Sequence, residues 1–433
     1  MDSAARDRDR GWALVLDQGG HATRAVVFDA AGALMAQSEA AIETQHPASG
    51  RVEHDPENVL ASVTACVNDM AAGLGTQIDR IAVASLCTQR SSLVCWSKSS
   101  GTALSPVLSW QDVRAGELLE RCCPDESTVR SITGLRPSEH YGASKMRWCL
   151  DNLPAVQAAR TNGDLAVGPL ASFLLFRLSG GGAFAVDPCN ASRTLLWDMH
   201  RRDWSAELLN AFGIPRDVLP QCRGNRSDWL RLRIGAHAVP LAIVTGDQSA
   251  VPFAFASSRG GRVFLTLGTG AFLQQPETGE LAPCERLLNS VILQDGDEVR
   301  YALEGTVNGA GSALRWFAED HAISESELLE RLPGWLAEVT SPLLFLNAVG
   351  GLAAPFWRPR AYSRFNAAGD VPAKAVAVVE SIAFLLQANV DAMRVCGRRV
   401  DDIVVVGGLS RLDGLLRRIA ILAQAPVHRA RSL

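Results

Sequence analysis

Apolar positions in this chain fall in short runs that end on glycine. The run Trp12–Leu16 leads into Asp17-Gln18-Gly19, and a second apolar stretch, Ala25-Val26-Val27-Phe28, begins a few residues later. Two such runs around a tight Gly-bearing turn predict a β-hairpin. Ile81–Leu86 and Ser92–Trp96 read as further strands, as do Leu241–Thr245, Val263–Leu267 and Ile403–Val406. The last three run into Gly246-Asp247-Gln248, Gly268-Thr269-Gly270 and Gly407-Gly408. Between them lie longer stretches of helical period. One spans Pro56–Leu74, with Asp55 placed as N-cap and Pro56 at the first helical position. Another spans Leu412–Ala423. The most apolar stretch, Ala373–Met393, is interrupted by Lys374, Glu380, Gln387 and Asp391 and reads as a buried amphipathic helix. No apolar run is expected to reach the length that spans a bilayer. Short buried strands that deliver glycine turns, separated by helices, predict an α/β architecture.

At 433 residues the chain exceeds one typical core, so two domains are expected. The polar segment Cys222–Asp228 reads as a crossing between them, which places the domains at 11–236 and 237–433. A net charge of −4 provides no basic field for nucleic acid or an anionic membrane. Met1–Arg10 alternates Asp and Arg and lacks the apolar stretch of a signal peptide. The 10 cysteines form no C-x-x-C pair and no zinc spacing, and are read as reduced thiols of a cytoplasmic protein.

Three glycine turns could cradle phosphate, because small residues let backbone N–H groups approach an anion. They are Gly19-Gly20, Gly268-Thr269-Gly270, and Gly407-Gly408 before the helix at Leu412. Taken singly, the first is equally a plain structural turn, and the other two read first as plain turns. Asp17 beside the first turn could hold a divalent cation. Asp247, at the end of a strand, could accept a proton from an attacking alcohol, or could cap the short helix at Gln248-Ser249-Ala250. Arg90, Trp110, Gln111, Asp112 and Arg114 combine donors with an aromatic wall, as a small polyhydroxylated ligand needs, though Arg and Trp also pair on surfaces. His140 and Tyr141 could add polar lining; Lys145 and Trp148 read as helix neighbours without a catalytic role. There is no P-loop string and no Gly-x-Ser-x-Gly elbow.

Taken in order, these segments resemble the FGGY family of carbohydrate kinases, and within it the glycerol kinase branch. The likeness runs from Leu14 to about Val427. It is carried by Asp17-Gln18-Gly19, Arg24–Asp29, Gln89-Arg90, Trp110-Gln111-Asp112 and Asn190-Ala191-Ser192-Arg193-Thr194, then by Gly246-Asp247-Gln248, Gly268-Thr269-Gly270, Glu304-Gly305, Gly351-Leu352, Ala354-Pro355-Phe356-Trp357 and Gly407-Gly408. The resemblance implies two actin-like (ribonuclease H-like) lobes with a cleft between them. It implies transfer of the ATP γ-phosphoryl group, with Mg²⁺, to a hydroxyl of a small polyol or sugar. It also implies cytoplasmic location and homodimer or homotetramer assembly. By match, Asp247 is the base and Asp17 helps to hold the metal. Gly19, Gly20, His21, Thr23 and Arg24 lie near the nucleotide phosphates, with Gly268, Thr269 and Gly270 opposite. Gly311, Arg315, Gly407, Gly408 and Leu412 fall at the nucleoside. Arg90, Ser91, Trp110, His140, Tyr141, Asp247, Gln248 and Phe272 line the acceptor site.

The departures from the family pattern are specific. Its Thr-Thr-Ser after Asp-Gln-Gly is Gly20-His21-Ala22 here, so hydroxyl donors are lost and an imidazole appears. The Glu after Gln-Arg in the glycerol kinase branch is Ser91, and the acceptor-site Tyr aligns with His140. Both groups would hold glycerol hydroxyls, so their loss makes glycerol a poor fit and leaves room for a longer polyol or a sugar. Near the nucleoside, Arg315 stands for Gln, Leu412 for Asn and Val406 for Asp; Arg358 stands for the Asp after Ala-Pro-Phe-Trp. The family continues with a further helix beyond the point where this chain stops. The alternative reading is a catalytically degenerate sugar- or nucleotide-binding regulatory pseudokinase.

Overall fold

The computed structural model describes residues 11–254, 260–277, 284–340 and 343–430; the acidic-basic N-terminal segment and the last three residues lie outside them. The chain divides into two units, Met1–Val251 with Ser290–Arg300, and Pro252–Asn289 with Tyr301–Ser432. The expected boundary at 236/237 falls in the turn of a hairpin in the first unit, between Arg226–Ile234 and His237–Gly246. Of the expected crossing, Gln221–Cys222 pairs with Ala185–Val186 and Arg226 opens that hairpin.

The first unit is built on a six-stranded sheet. Trp12–Gln18 pairs antiparallel with Ala22–Phe28, which confirms the first hairpin, and Ala22–Phe28 pairs with Leu34–Ala41. On its other side Trp12–Gln18 runs parallel to Ile81–Thr88, which runs parallel to His237–Gly246. Alternation along Trp12–Gln18 buries Trp12, Leu14 and Leu16 and leaves Ala13, Val15 and Asp17 on the opposite face. The helix Pro56–Leu74 covers the buried face through Val59, Val63, Cys66, Val67 and Met70. Asp55 caps it by accepting from the Glu57 N–H, as the sequence pattern predicts.

The second unit repeats the plan. Arg262–Leu267 and Ala271–Glu277 form a hairpin, Glu298–Val307 adds antiparallel, and Asp402–Val406 runs parallel to Arg262–Leu267. The helix Val371–Val395 lies in the core of this unit, burying Val376, Val379, Ile382, Leu386 and Val390. This corrects one expectation. Both Pro56–Arg80 and Val371–Val395 are long and apolar enough to cross a bilayer by length and composition, and both spend that apolar surface on the cores. In each unit a central hairpin carries a third antiparallel strand on one side and a parallel strand on the other. This is the ribonuclease H-like plan, present twice, and it defines an actin-like two-domain fold.

The cysteine reading is also corrected. Cys284 and Cys396 form a disulfide across 112 residues of sequence, with Cα atoms 5.7 Å apart. Cys284 is buried in the second core and Cys396 follows the C-terminus of Val371–Val395, so folding brings two distant thiols together. The other 8 cysteines are free.

Candidate active site

In the first unit the strand ends bring the acidic residues to one edge of the sheet. Asp17, Cys87 and Thr245 stand in register on three adjacent strands. Asp247 follows at the end of His237–Gly246 and opens a short helix, Asp247–Ala250, whose N-cap is Gly246. Asp247 therefore does not serve as N-cap; its Oδ1 accepts from the adjacent Gln248 N–H at 2.6 Å. Burial pushes the Asp247 carboxyl up to about 6; Arg90, the Gln248 N–H and Arg193 oppose the rise, and Asp17 adds to it. Burial raises Asp17 as well, against the pull of Arg24, whose Nη1 lies 3.7 Å from Asp17 Oδ2. The Cys87 thiol is buried among Asp17, Asp247 and Asp187 and is pushed far up, so it stays protonated. Asp187 is held by Asn190 and Asn225, and burial lifts it to about 6.

The hairpin turn next to Asp17 is open. An added Cβ at Gly20 would meet nothing within 4 Å. His21 is exposed, and its carbonyl accepts from the Ile42 N–H. Thr23 is a correction: its side chain is fully buried and Oγ1 lies 2.6 Å from Ser62 Oγ, so its hydroxyl serves the packing of the helix below and is not offered at the turn. Arg24 is half-exposed between Asp17 and Glu39.

Two of the acceptor candidates, Trp110 and His140, meet at one loop. Trp110 is partly exposed; its N–H donates to Ser92 Oγ at 2.9 Å and its carbonyl lies 3.1 Å from His140 Nδ1. The Trp110 and His140 rings sit 6.4 Å apart. Lys145, set aside on sequence grounds, lies wholly buried beneath this loop and donates to the Ser109 carbonyl at 2.9 Å. Burial brings its pKa down to about 7. Asp112 and Arg114 are structural: Arg114 bonds Asp112 and Glu53 and stacks on Trp148 at 4.8 Å. Arg90 is almost buried, with Nη1 3.5 Å from Ser249 Oγ, and Ser91 after it holds a φ of 65°. Gln248 Oε1 is buried without a partner, an acceptor that an incoming hydroxyl would satisfy. Tyr141 lies under the Arg193 guanidinium at 6.0 Å, and Arg193 donates to Ser290 Oγ. The proximity of Arg193 to Asp247 had no separate sequence signal beyond the Asn-Ala-Ser-Arg-Thr string.

In the second unit Gly268-Thr269-Gly270 forms the hairpin turn between Arg262–Leu267 and Ala271–Glu277, and Phe272 is partly exposed just beyond it. The Thr269 carbonyl accepts from the N–H groups of Ala310 and Ser312, which seats the start of the helix Gly311–Asp320 on this turn. A Cβ at Gly311 would come within 2.8 Å of the Gly268 carbonyl oxygen, so only glycine allows that approach. Gly407 has a φ of 94°, and a Cβ there would lie 2.4 Å from the Leu267 carbonyl. Gly408 opens a short 3₁₀ turn before the helix Asp413–Ala423. Arg315 pairs with Glu325. Leu412 packs in the apolar core, which corrects its place among nucleotide contacts: an apolar side chain turned inward is no ligand.

Comparison with known proteins matches the N-terminal domain model of the FGGY family of carbohydrate kinases over residues 12–256 and its C-terminal domain model over 263–432. A glycerol kinase of Geobacter sp. (strain M21) is 32% identical over 430 residues, 96% of this chain and 86% of the relative. Glycerol kinase 1 of Pseudomonas aeruginosa is 34% identical over 411 residues, covering 92% and 82%. Among solved structures, Plasmodium falciparum glycerol kinase with ADP superposes with a TM-score of 0.84 at 23% identity, covering 97% of this chain and 86% of that one. A ligand-bound xylulose kinase from Lactobacillus acidophilus gives 0.81 at 20% identity, covering 97% and 86%. The chain belongs to the FGGY family of carbohydrate kinases.

Proposed function

We propose that this kinase transfers the ATP γ-phosphoryl group to a hydroxyl of a small polyol or sugar, with Asp247 as the general base. The observation that carries the reading is the environment of Asp247: a strand-end carboxylate raised to about 6, facing Arg90 and next to Gln248 with its unsatisfied Oε1. A base near neutrality is matched to taking a proton from an alcohol at physiological pH. Arg90 and Arg193 favour its ionised form, while burial keeps it basic. The neighbouring glycine turn, bare at Gly20 and flanked by Arg24, offers N–H and guanidinium donors to phosphate.

Among the described residues no three His, Cys, Asp or Glu side chains gather as a metal cage. Mg²⁺ in kinases takes one or two carboxylates and completes its shell with phosphate oxygens and water, so Asp17, a partly exposed carboxylate beside the glycine turn whose ionised form a cation would favour, fits that donor set. Bound there with nucleotide, Mg²⁺ would offset phosphate charge. The chain's own residues do the rest: Trp110, His140 and Gln248 orient the acceptor, and Asp247 removes its proton.

Ser91 and His140 stand where the glycerol kinase branch has Glu and Tyr, so the acceptor we propose is longer than glycerol. The relatives named above are glycerol kinases, which keeps glycerol in the test. ADP release measured with glycerol, tetritols, pentitols and ketoses should show strong turnover with a four- or five-carbon acceptor. Folded protein silent on every acceptor would overturn the reading. A cytoplasmic setting, where ATP is available, is part of the same proposal.

A further inference from the structure

A chain of hydrogen bonds runs beneath the first unit's site, from the acceptor loop to the glycine turn. The Trp110 N–H donates to Ser92 Oγ at 2.9 Å. Ser92 Oγ donates to Gln89 Oε1 at 2.8 Å. Gln89 Nε2 donates to the Gly19 carbonyl at 3.2 Å and to Gln18 Oε1 at 3.4 Å, and Gln18 Nε2 donates to the same Gly19 carbonyl at 2.7 Å. Ser92, Gln89 and Gln18 are each at most 1% exposed, so water cannot substitute for a lost partner.

The direction of every bond is forced. A carbonyl can only accept, so the Gln89 NH₂ faces Gly19 and the oxygen of its amide faces Ser92. That oxygen also only accepts, so the Ser92 hydroxyl gives it its single proton while accepting from the Trp110 backbone N–H. The last link reaches the phosphate side through peptide geometry. The Gly19 carbonyl and the Gly20 N–H belong to one planar trans unit and point in opposite directions. Holding the carbonyl inward therefore aims the Gly20 N–H outward. Among the described residues that N–H donates to no protein acceptor, and the space at Gly20 is open.

We propose that Ser92 and Gln89 are positioning residues that couple the acceptor loop at Trp110 to the aim of the Gly20 N–H, so that occupancy of one side is felt at the other. This rests on the proposed reading of the hairpin as a phosphate site and of Trp110 as acceptor wall. Neither residue touches a reactant. Their effect is to make nucleotide and acceptor binding cooperative, with the hairpin best aimed at phosphate when Trp110 is in place. Buried networks that are fully satisfied hold one arrangement firmly, and breaking one link frees both ends.

The test uses the full chain and MgAMPPNP, a non-hydrolysable nucleotide. Backbone hydrogen exchange is followed in the segment holding Ser109–Asp112, with binding measured separately by calorimetry. In the wild type, bound nucleotide should slow exchange in that segment about fivefold or more. Gln89→Met keeps the length of the side chain and loses the amide; it should bind nucleotide while the slowing drops below about twofold. Ser92→Ala should behave alike, and Ser92→Thr, which keeps the hydroxyl, should restore the wild-type response. A wild type that binds MgAMPPNP with no change in the segment overturns the coupling, as does full slowing in Gln89→Met or Ser92→Ala. A wild type that does not bind MgAMPPNP overturns the phosphate-site reading itself, which separates the two failures.

Discussion

His140 Nδ1 lies 3.1 Å from the carbonyl oxygen of Trp110. A carbonyl only accepts, so Nδ1 carries the ring proton and Nε2 presents a lone pair. Burial, and then the charge of Lys145, lower the pKa of this ring, which keeps it neutral near pH 7. His140 thus holds the Trp110 loop and, in the acceptor site we propose, offers a lone pair to a substrate hydroxyl. His140→Phe should raise the KM for the best acceptor about tenfold, with the KM for ATP changed less than about twofold. Steady-state kinetics against both substrates decide it, and an equal change in the two KM values would remove His140 from the acceptor side.

The raised Asp247 carboxyl fixes the sign of two pH effects. The base must be ionised, so kcat/KM for the acceptor should climb as pH rises through about 6 and level off above it. Stability moves the other way. A carboxyl whose folded pKa lies above its unfolded value of 3.8 binds more protons in the native state across that interval. Its contribution to stability is therefore lost as pH rises toward 6. Asp247→Asn should stabilise the fold at pH 7.5 by about 1–3 kcal/mol and confer no gain at pH 4, as read by denaturant melts at the two pH values.

Gly20 separates a phosphate role from a structural one. A Cβ there meets nothing, and its φ is outside the left-handed region, so the fold should accept a larger residue. Gly20→Val should leave Tm within about 2 °C and raise the KM for ATP about tenfold or more by covering the N–H groups of the turn. Unchanged ATP kinetics would place the phosphates elsewhere.

Most of the framework was legible because each strand announces its end. Apolar runs stop at glycine turns in both units, and Asp55-Pro56 marks the start of a helix that the structure begins at the same residue. The proposed site could be read from the sequence only where a motif points to it, as at Asp247. Thr23 and Leu412 show the limit. Both sit at motif positions, yet the alternation of Ala22–Phe28 and the turn before Asp413 direct their side chains into the cores. Lys145, Ser92 and Gln89 act through hydrogen bonds to main-chain groups far along the chain, which leave no periodicity to read. The Cys284–Cys396 pairing was hidden for the same reason, since two thiols 112 residues apart carry no spacing signal.

That disulfide closes a long loop within the second unit. Cross-linking such a loop restricts the unfolded chain, so Cys396→Ser should cost about 2–4 kcal/mol. Thermal melts of wild type and variant, with and without reductant, measure it. Reductant should lower the wild-type Tm and leave the variant unmoved; equal melting temperatures throughout would show that the bond adds nothing.

The central claim is that one carboxylate takes the proton from an alcohol acceptor. The most direct measurement is acceptor-dependent ADP release by Asp247→Asn beside the wild type, with MgATP binding recorded for both. The account predicts turnover reduced about 10³-fold or more with nucleotide affinity within about threefold of wild type. Acceptor-dependent release at a near-normal rate in Asp247→Asn would contradict it.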